Sequence, residues 1–359
     1  MKIVHVFRAP IGGLFRHVRD LARGQKAIGH QVGIICDSTT GGEYASKLLD
    51  ELKEYCSLGV ARRPISRMPG LGDISGARTV IEIAKEWSPD VLHGHGAKGG
   101  VYARLAGYRL GIRSFYTPHG GSLHHPASKP MQFIIDGTEK ILRQLGTGLC
   151  FVCDYERDRF DHMIGLGKAA HIVAHNGLWA DEFIPAVPSP DATDFLFVGE
   201  MRDYKGVDIL LEAIAKLKGA TLTLVGDGPA MDEYKTLAAS LGIAKQARFM
   251  GRMPMQEAVK HGRIMVLPSR FESFPYVVLE TAAASLPLIT TAVGGIPEVV
   301  PRSLLCDPLT AENLADHMGK LLSNPERMKR DGDDYAALIR KTCTAPDMTR
   351  KITDFYVSA

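Results

Sequence analysis

No stretch of this chain comes near the run of about 18 apolar residues that a membrane-crossing helix needs, so no transmembrane helix is expected. Charge of one sign is lacking too. The 43 Lys and Arg against 40 Asp and Glu leave a net +3, too little to argue for nucleic-acid binding. The six cysteines, at 36, 56, 150, 153, 306 and 343, form no disulfide framework, and a reducing cytoplasm is the expected compartment. The opening Met1-Lys-Ile-Val-His-Val-Phe7 is too short for a signal peptide and carries no cleavage pattern, so it reads as a first strand. Low-complexity tracts and short repeats are absent. Cys150-Phe-Val-Cys153 has the spacing of a redox pair, but such pairs sit at helix starts, where the dipole lowers a thiol pKa. Here the surrounding run reads as a buried strand with its thiols on opposite faces, which implies a structural role.

What the chain does have is alternation. With 359 residues, two domains are the natural expectation. Residues 1–190 carry 23 Lys and Arg against 18 Asp and Glu, and the rest carry 20 against 22, so the first half is mildly basic. Short apolar runs read as strands at Ile3–Phe7, Val32–Cys36, Val91–His95, Ser114–Thr117, Leu149–Cys153 and Ile172–His175. A second series follows at Phe195–Val198, Thr221–Val225, Arg248–Met250, Ile264–Leu267 and Pro287–Thr290. Amphipathic segments long enough for helices separate most of them. Continuously apolar strands with helical crossovers imply α/β architecture, two Rossmann-like doubly wound domains. Prolines at 185, 188 and 190 mark the break. The expected plan is a first domain over 1–184, a linker at 185–193, a second domain over 194–340, and a final helical segment, 341–359, that packs back on the first domain.

Three stretches carry chemistry. In Leu267-Pro-Ser-Arg-Phe-Glu272-Ser-Phe-Pro-Tyr-Val-Val-Leu-Glu280, a strand leads through a loop into a helix, with Pro275 expected in its first turn. The helix start offers N–H groups to an anion, and Glu280 lies about one turn inside, where a carboxylate can accept from two neighbouring hydroxyls. Read alone, the two carboxylates are equally compatible with a solvated surface. The stretch Phe195-Leu-Phe-Val-Gly-Glu-Met-Arg202-Asp-Tyr-Lys205-Gly places two cations between a strand end and a helix start, a phosphate-binding arrangement. In Leu224-Val-Gly226-Asp-Gly228-Pro-Ala-Met231, the third glycine of a dinucleotide fingerprint is missing, but Gly226 still permits close backbone approach to a ligand.

Together with Thr290-Thr-Ala-Val-Gly-Gly-Ile-Pro-Glu298, Gly12-Gly13, Thr117-Pro-His-Gly120 and His175-Asn-Gly177, these motifs resemble the GT-B glycosyltransferases of family 4 in order and spacing, over nearly the whole chain. The resemblance implies a GT-B fold, with two domains facing across a cleft. It also implies a retaining transfer of a sugar from a nucleoside-diphosphate sugar, such as a UDP-sugar, to an acceptor. Glu280 would bind ribose, Glu272 would touch the transferred sugar, and Lys205 would bind the diphosphate, with Arg202 supplying further charge. Backbone amides near Phe274, Tyr276 and Val277 would face sugar and phosphate. His119 would face the sugar, and Gly12 and Gly13 would let the first loop approach the phosphates. No metal and no other cofactor is implied. Two departures stand out. Glu200 occupies a position where the family commonly has arginine, and Ser273-Phe274-Pro275 replaces a common Gly-Phe-Gly.

The first half also holds 11 of the 13 histidines, including His93-Gly-His95 and His124-His125. No carboxylate or cysteine completes a standard ligand set, so they read as core and rim imidazoles, not a metal site. Arg62, Arg63 and Arg67, with the Arg104, Arg109 and Arg113 series, would suit anionic lipid headgroups or a solvated face equally. The acceptor class implied by resemblance is a glycan or lipid-linked sugar of cell-surface polysaccharide, lipopolysaccharide or glycolipid synthesis, in the cytoplasm or at the inner face of the membrane. A nucleotide-sugar epimerase of the same fold and a non-catalytic nucleotide-sugar-binding homologue are the alternatives.

Overall fold

The structure, a computed structural model, describes residues 1–67, 70, 72–120 and 129–359. Two compact units emerge, one of Met1–Asn176 with Ala345–Ala359 and one of Gly177–Thr344.

In chain order the first unit contains β1 (Lys2–Phe7), α1 (Gly12–Ala27), β2 (Gln31–Asp37), α2 (Gly42–Leu52), β3 (Gly59–Arg63) and α3 (Gly72–Trp87). It continues with β4 (Val91–His95), α4 (Gly96–Leu110), β5 (Arg113–Thr117), α5 (Lys129–Leu145), β6 (Gly148–Phe151), α6 (Asp154–Met163) and β7 (Ala170–Val173). The second unit contains β8 (Thr193–Val198), α7 (Val207–Lys216), β9 (Leu222–Val225), α8 (Met231–Ser240), β10 (Ala247–Phe249) and α9 (Met255–Ala258). Then come β11 (Gly262–Leu267), α10 (Tyr276–Ala283), β12 (Leu288–Thr291), β13 (Leu305–Cys306), α11 (Ala311–Leu322) and α12 (Pro325–Thr342). The last helix, α13 (Ala345–Ser358), belongs to the first unit.

The sheets run β3-β2-β1-β4-β5-β6-β7 and β10-β9-β8-β11-β12-β13, with parallel pairing throughout. Both are doubly wound. Strand order reverses between β1 and β4 in one and between β8 and β11 in the other. Ligands of such sheets bind beyond the carboxyl ends of the strands at that reversal.

Both faces of the first sheet are covered. Val4, Val6 and Leu92 pack with Val80, Tyr102 and Ala103. Their strand neighbours Ile3 and Val91 pack the other way, with Phe115, Ile352, Phe355 and Tyr356. This is the period of two expected of a strand, and it explains why these strands read as unbroken apolar runs. Each such fully buried aliphatic side chain contributes on the order of 2 kcal/mol. The face that α13 covers would otherwise stand open.

Two strands escaped the sequence reading. β3 is a half-buried edge strand ending in two arginines, and β13 has only two residues. The proline segment also plays a different part from a free linker. The Ala186 N–H donates to the Ala284 carbonyl and the Ser189 N–H to that of Lys260, so residues 185–193 lie on the second unit, and the change of unit falls at Asn176.

Candidate functional site

The loops that follow β8 and β11 meet at the reversal of the second sheet. Glycine makes that possible. Gly206 caps α7 with φ +67, and a Cβ there would lie 2.0 Å from the Pro268 carbonyl oxygen. Gly294, with φ +61, would place a Cβ 2.0 Å from the Glu272 carbonyl oxygen. Gly226, with φ +141, would place one 1.8 Å from the Gly199 carbonyl oxygen. The close approach expected at Gly226 is therefore to the chain itself, because the ends of β9 and β8 touch backbone to backbone. Thr290 and Thr291 add hydroxyl bonds to the Leu267 and Ser269 carbonyls at 3.0 and 2.6 Å. Four loops, after β9, β8, β11 and β12, are locked in a row.

On that base sit the charges. The Lys205 ammonium donates to Glu272 Oε1 at 2.6 Å, with the side chains 16% and 12% exposed, and the Ser269 hydroxyl donates to the same oxygen at 2.8 Å. Burial pulls the Lys205 pKa down, but the Glu272 carboxylate offsets this and leaves it above the ordinary lysine value. Arg202 Nε lies 2.7 Å from Glu200 Oε1, and that hydrogen bond raises the guanidinium pKa. Glu200, the departure noted in the sequence, thus holds the very arginine expected to replace it. Arg270 forms a two-point pair with Asp208, at 2.8 and 2.5 Å, and its N–H donates to the Tyr204 carbonyl at 2.7 Å, tying the two loops together. Sequence reasoning missed Arg270, although its position two before Glu272 was visible.

Pro275 is the residue before the helix, with an extended ψ of 130°, and not a first-turn residue. Its ring still fixes the entry angle into α10. Phe274 and Tyr276 are buried and Val277 half-buried, so what they offer a ligand is backbone. Glu280, half-buried in the second turn, lines a cavity of about 450 Å³ with Glu182, Met255, Gln256 and Lys260. The arrangement can hold an anion against Lys205 while Glu272 accepts from hydroxyls.

In the first unit Gly12 and Gly13 open α1, not a free loop. Gly12 has φ +77, and open space surrounds the place where its Cβ would be. His119 follows β5 with φ +55, a left-handed conformation that a side chain of this kind rarely adopts. Buried Glu156 holds that turn, accepting from the Gly120 N–H and, at 3.1 Å, from the Val152 N–H. Sequence reasoning missed Glu156 because nothing in its helical spacing points to a turn 36 residues away.

Around His119 the fold gathers His5, His17, His93 and His95. Nitrogens of His5, His93 and His95 lie within 4.8 Å of one another, as do those of His17, His95 and His119. Burial lowers the pKa of all five, to about 4 for His5 and His17. The expectation of core and rim imidazoles said nothing of this gathering. His124 and His125 lie outside the described residues. Cys150 and Cys153 are buried, and burial raises the Cys150 pKa, but Cys153 is the residue before α6 and not part of a strand. Arg104 is 1% exposed, paired with Glu139 at 2.9 and 3.0 Å and stacked on Tyr116, so it cannot serve a lipid surface. Among the described residues no helix is long and apolar enough to cross a membrane.

Comparison with known proteins fits this geometry. The family Glycosyltransferase Family 4 matches residues 11–181, and the family Glycosyl transferases group 1 matches residues 192–324. Glycogen synthase of Mycobacterium tuberculosis is 26% identical over 356 residues, covering 89% of this chain and 84% of that protein. The solved structure of Anabaena HepE in complex with UDP and glucose superposes with a TM-score of 0.86 at 17% identity, covering all of both chains. Sucrose-phosphate synthase of Thermosynechococcus elongatus gives 0.83 at 17% identity, covering 100% of this chain and 99% of the other. With both sheets, their reversal-point loops and the two family matches in agreement, this chain belongs to the GT-B glycosyltransferases of family 4, group 1.

Proposed function

We propose that the chain is a retaining glycosyltransferase that moves a hexosyl group from a nucleoside-diphosphate sugar to a glycan or lipid-linked acceptor of cell-surface polysaccharide, lipopolysaccharide or glycolipid synthesis. The observation that carries this reading is the Lys205–Glu272 pair, 2.6 Å apart, on the loops at the reversal of the second sheet and just before α10. Anabaena HepE, of the same fold, is known with UDP and glucose, which supports a UDP-sugar as donor class.

As the bond from the anomeric carbon to the phosphate oxygen breaks, negative charge grows on the diphosphate. Lys205 and the first N–H groups of α10 are fixed in advance to receive it. Arg202 turns from Glu200 to phosphate, and Lys205 shares its protons between phosphate and Glu272. Glu272 accepts from the sugar hydroxyls and Glu280 from the ribose. The sugar becomes oxocarbenium-like, with His119 beside it, and the acceptor hydroxyl attacks the face that the phosphate leaves, giving its proton to the departing phosphate oxygen. No side chain forms a covalent intermediate, and these cations make a metal unnecessary. Arg62, Arg63 and Arg67 provide contact with an anionic membrane surface, which flotation with anionic liposomes at low and high salt tests.

Glu280→Ala raises the donor KM and Lys205→Ala lowers kcat in an assay of nucleotide release. Unchanged kinetics in both variants overturns the site. Conversion of the donor with no acceptor present would instead mark an epimerase. Calorimetric binding without transfer would mark a non-catalytic homologue.

A further inference from the structure

The reading above leaves one assembly of the first unit unused. His5 Nε2 lies 2.8 Å from Gln25 Oε1, His5 Nδ1 lies 2.9 Å from His95 Nε2, and His95 Nδ1 lies 3.1 Å from His119 Nε2. Gln25, His5 and His95 are 0%, 0% and 1% exposed, so no solvent completes these bonds. We propose that Gln25, His5 and His95 are positioning residues, a hydrogen-bonded chain that holds His119 as the Nε2–H tautomer with a lone pair on Nδ1.

The direction follows from the first link. A carbonyl oxygen can only accept, so His5 Nε2 carries a hydrogen. A neutral imidazole has one N–H, so His5 Nδ1 accepts, and His95 Nε2 must donate to it. His95 Nδ1 then accepts in turn, and His119 Nε2 donates. Burial keeps every member neutral, with His5 at about 4 and the others well below the ordinary histidine value. A second proton on His5 or His95 would set two N–H groups against each other. One amide therefore sets which nitrogen of His119 is bare, three links away.

The surroundings agree. His17 donates from Nδ1 to Asn176 Oδ1 at 2.8 Å and packs edge-on against the His119 ring, with centroids 4.7 Å apart. Among the described residues its buried Nε2 has no partner, and it offers His119 no second proton. His93 is spoken for by Tyr356 and Thr117, at 2.5 and 2.8 Å. The left-handed turn and Glu156 hold the ring where the chain can reach it. His119 Nδ1 takes no partner among the described residues, so it is left to accept from a substrate hydroxyl or N–H. Resting on the transferase reading, the chain makes His119 an acceptor toward the donor sugar.

Long-range proton–nitrogen spectra of the full chain, labelled with ¹⁵N-histidine, read the tautomer directly, and loss of one signal set in His119→Asn assigns it. The expected result is a protonated Nε2 and bare Nδ1 at His119. In His95→Leu and in Gln25→Leu the two tautomers mix, while His95→Gln, which can still accept and donate, restores the original. In the transfer assay kcat falls about 10-fold or more in both leucine variants, with donor KM changed by less than about twofold. A bare Nε2 in the wild type, or an unmoved tautomer in whichever leucine variant folds, overturns the proposal. So does one bound metal ion per chain whose removal by chelator changes the His119 signals. The spectra need no turnover, so a chain without transferase activity would sink the proposed function and leave the relay standing or falling by itself.

Discussion

At the ends of β8 and β11 the second unit sets out charges: Lys205 with Glu272, Arg202 with Glu200, Arg270 with Asp208, all partly reached by water. At the ends of β1, β4 and β5 the first unit sets out neutral imidazoles, buried except for the half-buried His119. The two sheets share a topology and use the same place in it. Under the proposed function, the difference is what each partner needs. A diphosphate is charged from the start and gains charge as its bond to the sugar breaks, and ammonium and guanidinium groups can exchange a protein carboxylate for it at little cost. A sugar ring is neutral and is read by donors and acceptors, so the orientation of each N–H matters more than net charge.

The largest expected effect concerns the base on which the charges stand. Gly226→Ala forces a Cβ to within 1.8 Å of the Gly199 carbonyl, in a backbone conformation foreign to alanine. A loss of more than about 3 kcal/mol in the second unit is expected, measured by urea unfolding. Gly12→Ala meets open space and costs only its positive φ, roughly 1 kcal/mol. If both variants unfold alike, the interlocking of the loops is wrong. Next comes Lys205→Ala, expected to lower kcat about 100-fold or more, the scale for removing one preorganised charge partner. Rising salt should weaken donor binding to the wild type and do so less in the variant.

Acid should strike the units unequally. In the folded chain His5 and His17 are held to about 4 against 6.5 in the ordinary state, first of all by burial. Above pH 6.5 folded and unfolded rings are both neutral, and the contribution to stability is complete. As pH falls toward 4 the unfolded chain takes protons that the folded chain refuses, and stability is lost, by at most roughly 3 kcal/mol per ring. Trp87 lies in the first unit and Trp179 in the second, so single-tryptophan variants report each unit separately. The unfolding midpoint seen by Trp87 should drop more between pH 7 and pH 5. Equal drops would erase the contrast. The smallest effect is expected for Arg270→Leu. Its pair with Asp208 is a third exposed, so under about 1 kcal/mol is at stake, detectable by the same denaturation.

Apolar runs showed where most strands lie, because parallel strands covered on both faces leave long hydrophobic signatures. β3 and β13 left none, one for being an edge and the other for being two residues long. The carboxylate spacing and the two cations pointed to the loops that meet at the reversal of the second sheet, but not to which partners they choose. Glu200 read as a missing arginine, and it turned out to grip Arg202. The histidines were harder. His5, His17, His95 and His119 come from four separate elements, and only the strand order, with β4 beside β1 and β5 beside β4, makes them neighbours. Periodicity along a chain holds no information about that order. Arg104 misled for a related reason: its partner Glu139 is 35 residues away, so it looked like one member of a solvated series.

Gly206, Gly226 and Gly294 carry a consequence for how this protein can change. Each removes the gap that would let one loop move without its neighbour, so the four loops work as a single rigid insert. Lengthening one of them to suit a bulkier donor would shift all four. Under the proposed function, variation in donor preference is therefore channelled into side chains that stand on the insert, among them Ser269, Glu272 and Ser273. Larger remodelling is pushed to segments that no glycine contact ties down.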